Sequence, residues 1–249
     1  MKNFYIYSDL HLEFKVDISA DIYELFDLPT PIIDNYLLLA GDITNTPSIN
    51  HYINLFNNIH NKFNKIFFIS GNHEYYGCDS IIDTNNKLQE ITKNYDNIFF
   101  LNNSYYKLDD CIIVGSTLWS DIDDSVKLND FNCIKNFTHN HYRNLHYESV
   151  KYLSEFIKNT NEPIIVLTHH FPTFKMIDSK YYKYGISNTG FYSKLDYLIK
   201  PPIKYWISGH SHTTKTIEYN NVNLLCNALG YFNEEYENKN FIKFCKFII

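Results

Sequence analysis

Short apolar runs that stop abruptly at polar or glycine residues recur along this chain. Residues 4–8, 36–40 and 65–70 have that form, which predicts strands buried on both faces. Between the last two, Ile49, Ile53, Phe56, Ile59 and Phe63 fall three or four apart, which predicts a helix over 48–63. Strand, helix, strand is the pattern of a crossover unit and an α/β sheet. A second helical spacing covers 80–94. Short strands come next at 98–101, 105–108 and 112–115, and a third helix at 147–158 carries Val150, Leu153 and Phe156/Ile157 on one stripe. Residues 164–168 and 205–208 are again buried-strand patterns, and 214–219, 222–226 and 241–248 close the chain as strands. Residues 121–144 and 171–188 show no clear period. Stretches of that length in a compact domain are commonly functional or lid-like. No internal repeat and no linker rich in Pro, Gly or Ser interrupts the pattern, so 1–249 reads as one domain.

Composition narrows the class. With 249 residues and 45% hydrophobic content the chain can close a sizeable core, and disorder is excluded. No apolar run approaches the ~18 residues of a membrane span. The net charge is −6, and Arg143 is the only arginine, so a long nucleic-acid footprint is not expected. The five cysteines, Cys78, Cys111, Cys133, Cys226 and Cys245, are scattered and form no CxxC, which predicts reduced thiols rather than a disulfide frame or a soft-metal cluster. Met1-Lys2 leads straight into a strand pattern without a signal region, so the expected location is cytoplasmic. The 31 Asn, 22 Tyr and 19 Phe make aromatic and Asn-rich patches weak markers here, whereas Gly, His and Asp at fixed spacing keep their value.

The residues just beyond each predicted strand carry the chemistry. The first strand is followed by Asp9-Leu10-His11, the second by Gly41-Asp42, and the third by Gly71-Asn72-His73-Glu74. Residues 164–168 lead into His169-His170, and 205–208 into Gly209-His210-Ser211-His212. Ligands of α/β sheets bind beyond the carboxyl ends of the strands, so these groups can converge. Imidazole and carboxylate together suit Mn, Fe or Zn rather than Ca or Mg. Asp9 and His11, two apart at a strand end, can face one ion, as can His210 and His212. The two oxygens of Asp42 can each bind one of two ions.

In this order the five blocks D-x-H, G-D, G-N-H-E, H and G-H-x-H resemble the calcineurin-like metallophosphoesterases. The words Gly115 to Ser120, Asn129-Asp130-Phe131, Thr168 to Pro172 and Asn227 through Gly230-Tyr231 also fall where small single-domain members have similar ones. The resemblance implies two facing mixed β-sheets flanked by helices, an α/β (α+β) sandwich. It implies two divalent or trivalent transition-metal ions, manganese foremost with iron or zinc as alternatives. Asp9, His11, Asp42 and His212 would hold one, and Asp42, Asn72, His169 and His210 the other. Attack on phosphorus would come from a metal-bound hydroxide. His73, with Asn72, would contact the phosphate and protonate the leaving group. Glu74 is a candidate to orient His73, and His170 a candidate for substrate contact or for a place behind the ligands. The Lys180–Gly185 segment, rich in tyrosine, is either a surface loop or a substrate contact. His139 and His141 read as part of a solvated loop, and Asp121 to Asp124 as a solvated turn.

Within the family, protein Ser/Thr phosphatases carry G-D-x-V-D-R-G, where this chain has Gly41-Asp42-Ile43-Thr44-Asn45 and no phosphate-clamping arginine. Purple acid phosphatases need a tyrosine where Asn45 stands. Strand-break nucleases carry a long added domain and basic surfaces. The expected activity is hydrolysis of a phosphodiester or a small nucleotide-like phosphomonoester. The alternative is a catalytically weak or inactive scaffold or binding protein on the same fold.

Overall fold

A computed structural model describes residues 1–15, 17–26, 34–231 and 239–249. The elements in chain order begin with β1 (Asn3–Tyr7), α1 (Ile18–Leu25), β2 (Asn35–Leu39), α2 (Asn50–Ile59), β3 (Lys65–Phe68), α3 (Ile81–Thr92) and β4 (Ile98–Phe100). They continue with β5 (Ser104–Lys107), β6 (Ile112–Ser116), α4 (Asp130–Cys133), α5 (His139–Lys158) and β7 (Ile164–Thr168). The chain closes with β8 (Ile203–Ser208), β9 (Thr214–Tyr219), β10 (Val222–Asn227) and β11 (Lys246–Ile248). One sheet has the order β11-β1-β2-β3-β4 and the other β5-β6-β7-β8-β10-β9. Both are mixed: β1 to β4 run parallel with β11 antiparallel at the edge, and β6, β7, β8 and β10 run parallel with β5 and β9 antiparallel.

Side-chain alternation along the strands builds three layers of packing. Phe4 and Ile6 of β1, Leu38 of β2 and Phe67 of β3 face Ile113, Ile165, Leu167 and Ile207 of the second sheet. Tyr5 and Tyr7, Leu37 and Leu39, and Ile66 and Phe68 point the other way, onto Ile22, Tyr52, Phe56, Ile59 and Leu88 of the helices. On the far side Val114, Val166, Trp206 and Leu224 pack against Leu153 and Ile157 of α5. Both faces of the central strands are covered, which is why they read as continuous apolar runs.

The observed strands lie within two residues of most of the sequence expectations, a difference typical of element ends. Four elements differ more, among them the short α4, which lies within the stretch 121–144 read as lacking period. Helix α1 was not expected, since only eight residues carry its pattern. Helix α5 starts at His139 rather than 147, within a stretch read as lacking period. Its first two turns offer only Tyr142 and Leu145 as apolar positions, and the Thr138 side chain caps it by accepting from the His141 N–H. At the C-terminal end, strand pairing covers only Lys246–Ile248. The preceding segment is held instead by side chains: Asn227 Nδ2 donates to Ile242 O, and Tyr7 Oη donates to Lys243 O. The stretch 171–188 folds largely as 3₁₀ turns, over Phe174–Met176 and over Ser179–Gly190, the latter broken at Gly185. All five cysteines are free, as expected. No helix among the described residues is long and apolar enough to cross a membrane.

Candidate metal centre

The ends of β1, β2, β3, β7 and β8 meet at the carboxyl edge of both sheets, and the backbone there is bent out of strand geometry. Asp9, His11, Asp42, His210 and His212 all have φ between 46° and 70°. Left-handed backbone at non-glycine residues costs free energy and clusters at functional sites. Backbone bonds hold the turns in place: Asp9 N–H donates to Gly41 O, His11 N–H to Asp42 O, and Gly230 N–H to Asp9 O. Gly41 and Gly71 allow the closest approach. A Cβ on Gly41 would lie 2.5 Å from Gly71 N, and one on Gly71 would collide with Asp42 Oδ1 and the His169 ring.

Ligand-type atoms converge in three groups: Asp9, His11 and His212; Asp42, His169 and His210; and His11, Glu13 and His73. Asp42, of the second group, also faces the first. Its Oδ2 lies 3.9 Å from His11 Nε2 and 3.3 Å from His169 Nε2. Its Oδ1 accepts from the His73 N–H at 2.9 Å, so one oxygen faces both groups and the other is held by backbone. His11 Nε2 and His212 Nε2 are 3.1 Å apart, and His212 Nε2 is 3.5 Å from Asp9 Oδ1. The Asp9 carboxylate also accepts from the His210 N–H. Asn72 Oδ1 lies 3.1 Å from His169 Nε2.

Several features fit bound cations. Asp9, His11, Asp42 and His169 are 1% exposed or less. His210 Nε2 is buried with no hydrogen-bond partner among the described residues, a costly arrangement for a polar atom that a ligand would relieve. His169 Nδ1 lies 2.7 Å from Ala40 O and His11 Nδ1 3.2 Å from Glu13 Oε1, contacts that leave each Nε2 turned to the centre. The charges of the side chains compensate one another. Burial alone would raise Asp42, but His169, His73 and His11 hold it well below the usual carboxylate range. Burial alone would lower His169, but Asp42 pushes it up to about 10. Burial and the neighbouring His169 drop His210 to about 3.

His73 lies beside this centre. Its Nδ1 is 2.9 Å from Glu13 Oε1, its Nε2 is 3.1 Å from Tyr231 Oη, and its ring stacks on Tyr76 at 4.2 Å. Glu74 does not orient it, contrary to the sequence expectation. The Glu74 carboxylate turns inward and accepts from the N–H groups of Asp42, Ile43 and Gly71 and from Tyr52 Oη. Burial and the Asp42 charge push its carboxyl up to about 7 against these donors. Glu13 takes the place expected of Glu74. It stands two residues after His11 in the same turn, and that proximity was its only signal in sequence.

Of the two places open to His170, the structure shows the one behind the ligand-type residues. It is fully buried behind His210, at 4.2 Å between rings, with Nε2 3.3 Å from Tyr142 Oη and Nδ1 3.3 Å from Thr117 O. It does not line the cavity, and its ring packs against that of His210. His139 and His141 open α5 rather than lying in a loop. His139 Nε2 is 2.9 Å from Val126 O and its ring stacks on Phe131 at 4.1 Å, and neither histidine joins a metal-type group among the described residues. Asp123 and Asp124 form the turn expected of them, closed by Ser125 and Arg143.

A cavity of about 410 Å³ opens over the cluster, with Asp42, Asn72, His73, His210 and His212 at its base. Tyr181 and Tyr184 of the tyrosine-rich segment line it, together with Tyr76 and Phe191. No lysine or arginine does so among the described residues. Tyr76 Oη accepts from Asn72 Nδ2 at 3.1 Å and donates to Asp130 Oδ2 at 3.4 Å. With its one proton committed to Asp130, Tyr76 can only accept from Asn72, which turns the Asn72 oxygen to the cluster.

The family model for calcineurin-like phosphoesterases matches residues 2–214. The chain belongs to that family. The family binds divalent metals, and this calcineurin-like phosphoesterase carries candidate His/Asp ligand groups to do so. It is 35% identical over 254 residues to a protein named L509 from Acanthamoeba polyphaga mimivirus, covering 91% of this chain and 90% of that one. Its fold is similar to that of the phosphopantetheinyl hydrolase PptH from Mycobacterium tuberculosis, at a TM-score of 0.71 and 15% identity. That match covers 92% of this chain and 90% of the other.

Proposed function

We propose that this calcineurin-like phosphoesterase hydrolyses a phosphodiester or a small nucleotide-like phosphomonoester with two metal ions. One is held by Asp9, His11, Asp42 and His212 and the other by Asp42, Asn72, His169 and His210. The observation that carries the reading is the base of the cavity: two triads of carboxylate and imidazole adjoin, Asp42 Oδ2 of one lying 3.9 Å from His11 Nε2 of the other, and among the described residues no lysine or arginine lines the cavity to receive an anion. Two bound ions would activate water near neutral pH and offset charge on the phosphoryl oxygens. Manganese fits the mixed oxygen and nitrogen donors, with iron or zinc as alternatives.

The chain's own residues do the rest. Asp42 ties the two ligand groups together and fixes the His73 backbone through Oδ1. His73, buttressed by Glu13 at Nδ1, presents Nε2 at the cavity side, where it contacts the phosphate and gives a proton to the leaving oxygen. Asn72 binds through its oxygen because Tyr76 occupies its amide nitrogen. The substrate is a small phosphate ester, and neither long nucleic acid nor membrane is a partner. The cytoplasm is the proposed location.

Initial rates on p-nitrophenyl phosphate and bis(p-nitrophenyl) phosphate, with manganese-loaded and chelated protein in parallel, test this. Chelator-sensitive release of nitrophenol is expected. Absence of release from metal-loaded protein on both esters would point instead to a scaffold or binding protein on this fold.

A further inference from the structure

Asp130 is a buried carboxylate outside the ligand-type groups of the centre. It opens α4, is 3% exposed, and forms part of the cavity wall. Its Oδ2 accepts from Tyr76 Oη, while Oδ1 has no hydrogen-bond partner among the described residues. Among the described residues no lysine or arginine lines the cavity to neutralise it. A buried carboxylate oxygen left unpaired is expensive, and such groups persist where a ligand completes them. Its surroundings say what kind of ligand. Across the same cavity stand the rings of Tyr181, Tyr184 and Phe191, with Leu128 and Ile177 beside them. An acceptor for one hydrogen-bond donor, set among aromatic faces and adjoining a phosphoryl site, suits a flat ring system that carries hydroxyl or N–H groups.

We propose that Asp130 is a specificity-determining residue that recognises a nucleoside group on the substrate: its carboxylate, buried in the cavity wall, turns Oδ1 outward to accept from a sugar hydroxyl or a base N–H while the ring lies against the tyrosines. The proposal rests on the phosphoesterase reading only for the position of the reacting phosphate. The requirement is for acceptance at two points, one for Tyr76 and one for the ligand. A carboxylate meets it, whereas an asparagine side chain has a single acceptor oxygen. Burial pushes the Asp130 carboxyl up to about 6, so near neutral pH it still presents the two acceptors, at a cost to the fold.

The test compares thymidine 5′-(p-nitrophenyl phosphate), which carries hydroxyl and N–H donors, with bis(p-nitrophenyl) phosphate, which carries none. In the wild type kcat/KM favours the thymidine ester, and in Asp130→Asn that preference falls tenfold or more, chiefly through KM. Asp130→Ser, also without two carboxylate oxygens, is the second variant, and a thermal melt checks that each is folded. An equal loss on both esters would mean that Asp130 acts only through Tyr76 on Asn72, and would overturn the proposal.

A second arm needs no turnover. Saturation-transfer NMR of thymidine with metal-free protein should show transfer to the wild type and its loss in Asp130→Asn, and equal transfer to both proteins would overturn the proposal. If metal-loaded wild type cleaves neither ester, the phosphoesterase reading fails, and the NMR arm alone decides on Asp130.

Discussion

The Glu13 carboxylate lies 2.9 Å from His73 Nδ1 and 3.2 Å from His11 Nδ1, so one buried oxygen links two imidazoles of the centre. It fixes the orientation of both rings, leaving His11 Nε2 toward Asp42 and His212 and the His73 ring at the cavity side. Glu13→Gln keeps the size but can offer either an oxygen or an NH₂ to those nitrogens. Loss of such outer partners costs about 10–100-fold in activity or metal affinity. We expect kcat on p-nitrophenyl esters to fall within that range, with metal affinity lowered at the site of His11. Steady-state kinetics and calorimetric metal titration check both, and unchanged values in both would remove Glu13 from the centre.

Glu74 supports the loops rather than the chemistry. Glu74→Ala would leave the N–H groups of Asp42, Ile43 and Gly71 and the Tyr52 hydroxyl without their acceptor in a buried site. At about 1–3 kcal/mol per unsatisfied group, a loss of at least about 3 kcal/mol is expected in urea unfolding. A loss under about 1 kcal/mol would show that water or a shifted side chain replaces the carboxylate.

Gly71→Ala should separate metal binding from folding. The added methyl runs into Asp42 Oδ1 and His169, at the middle of the ligand set. Manganese content after loading and dialysis should fall sharply. Far-UV circular dichroism should keep the wild-type shape, because the collision lies at a strand end and not within a sheet.

Asp130 predicts a pH dependence of stability. Its carboxyl moves from an ordinary 3.8 up to about 6 through burial. Between those values the folded chain binds more protons than the unfolded one, so stability falls as pH rises and the loss is complete above about 6. About two pH units at ~1.4 kcal/mol each amount to roughly 3 kcal/mol. Asp130→Asn avoids that loss and should exceed the wild type in urea stability at pH 8, with no advantage at pH 4. An advantage of equal size at both pH values would assign the effect to packing.

The strands and the convergence of the blocks beyond them were legible in sequence for one physical reason. Strands covered on both faces read as apolar runs, and the residues just beyond them, from Asp9 to His212, form the five blocks that the structure brings to one edge. The hidden part depends on direction in space. Glu74 adjoins His73 in sequence but turns the opposite way. Glu13 reaches His73 across 60 positions. His170 follows His169 yet is sealed behind His210. The start of α5 was lost because its first turns, His139 to His146, carry little apolar signal, so a capping threonine and tertiary packing set the helix there.

Metal stoichiometry bears most directly on the two-ion centre. Elemental analysis of manganese-loaded, dialysed protein should give two ions per chain for the wild type. His210→Ala should give about one, and ester hydrolysis should fall with it. Wild-type protein that holds no more than one ion at saturation, or hydrolysis that survives complete metal removal, would contradict the account.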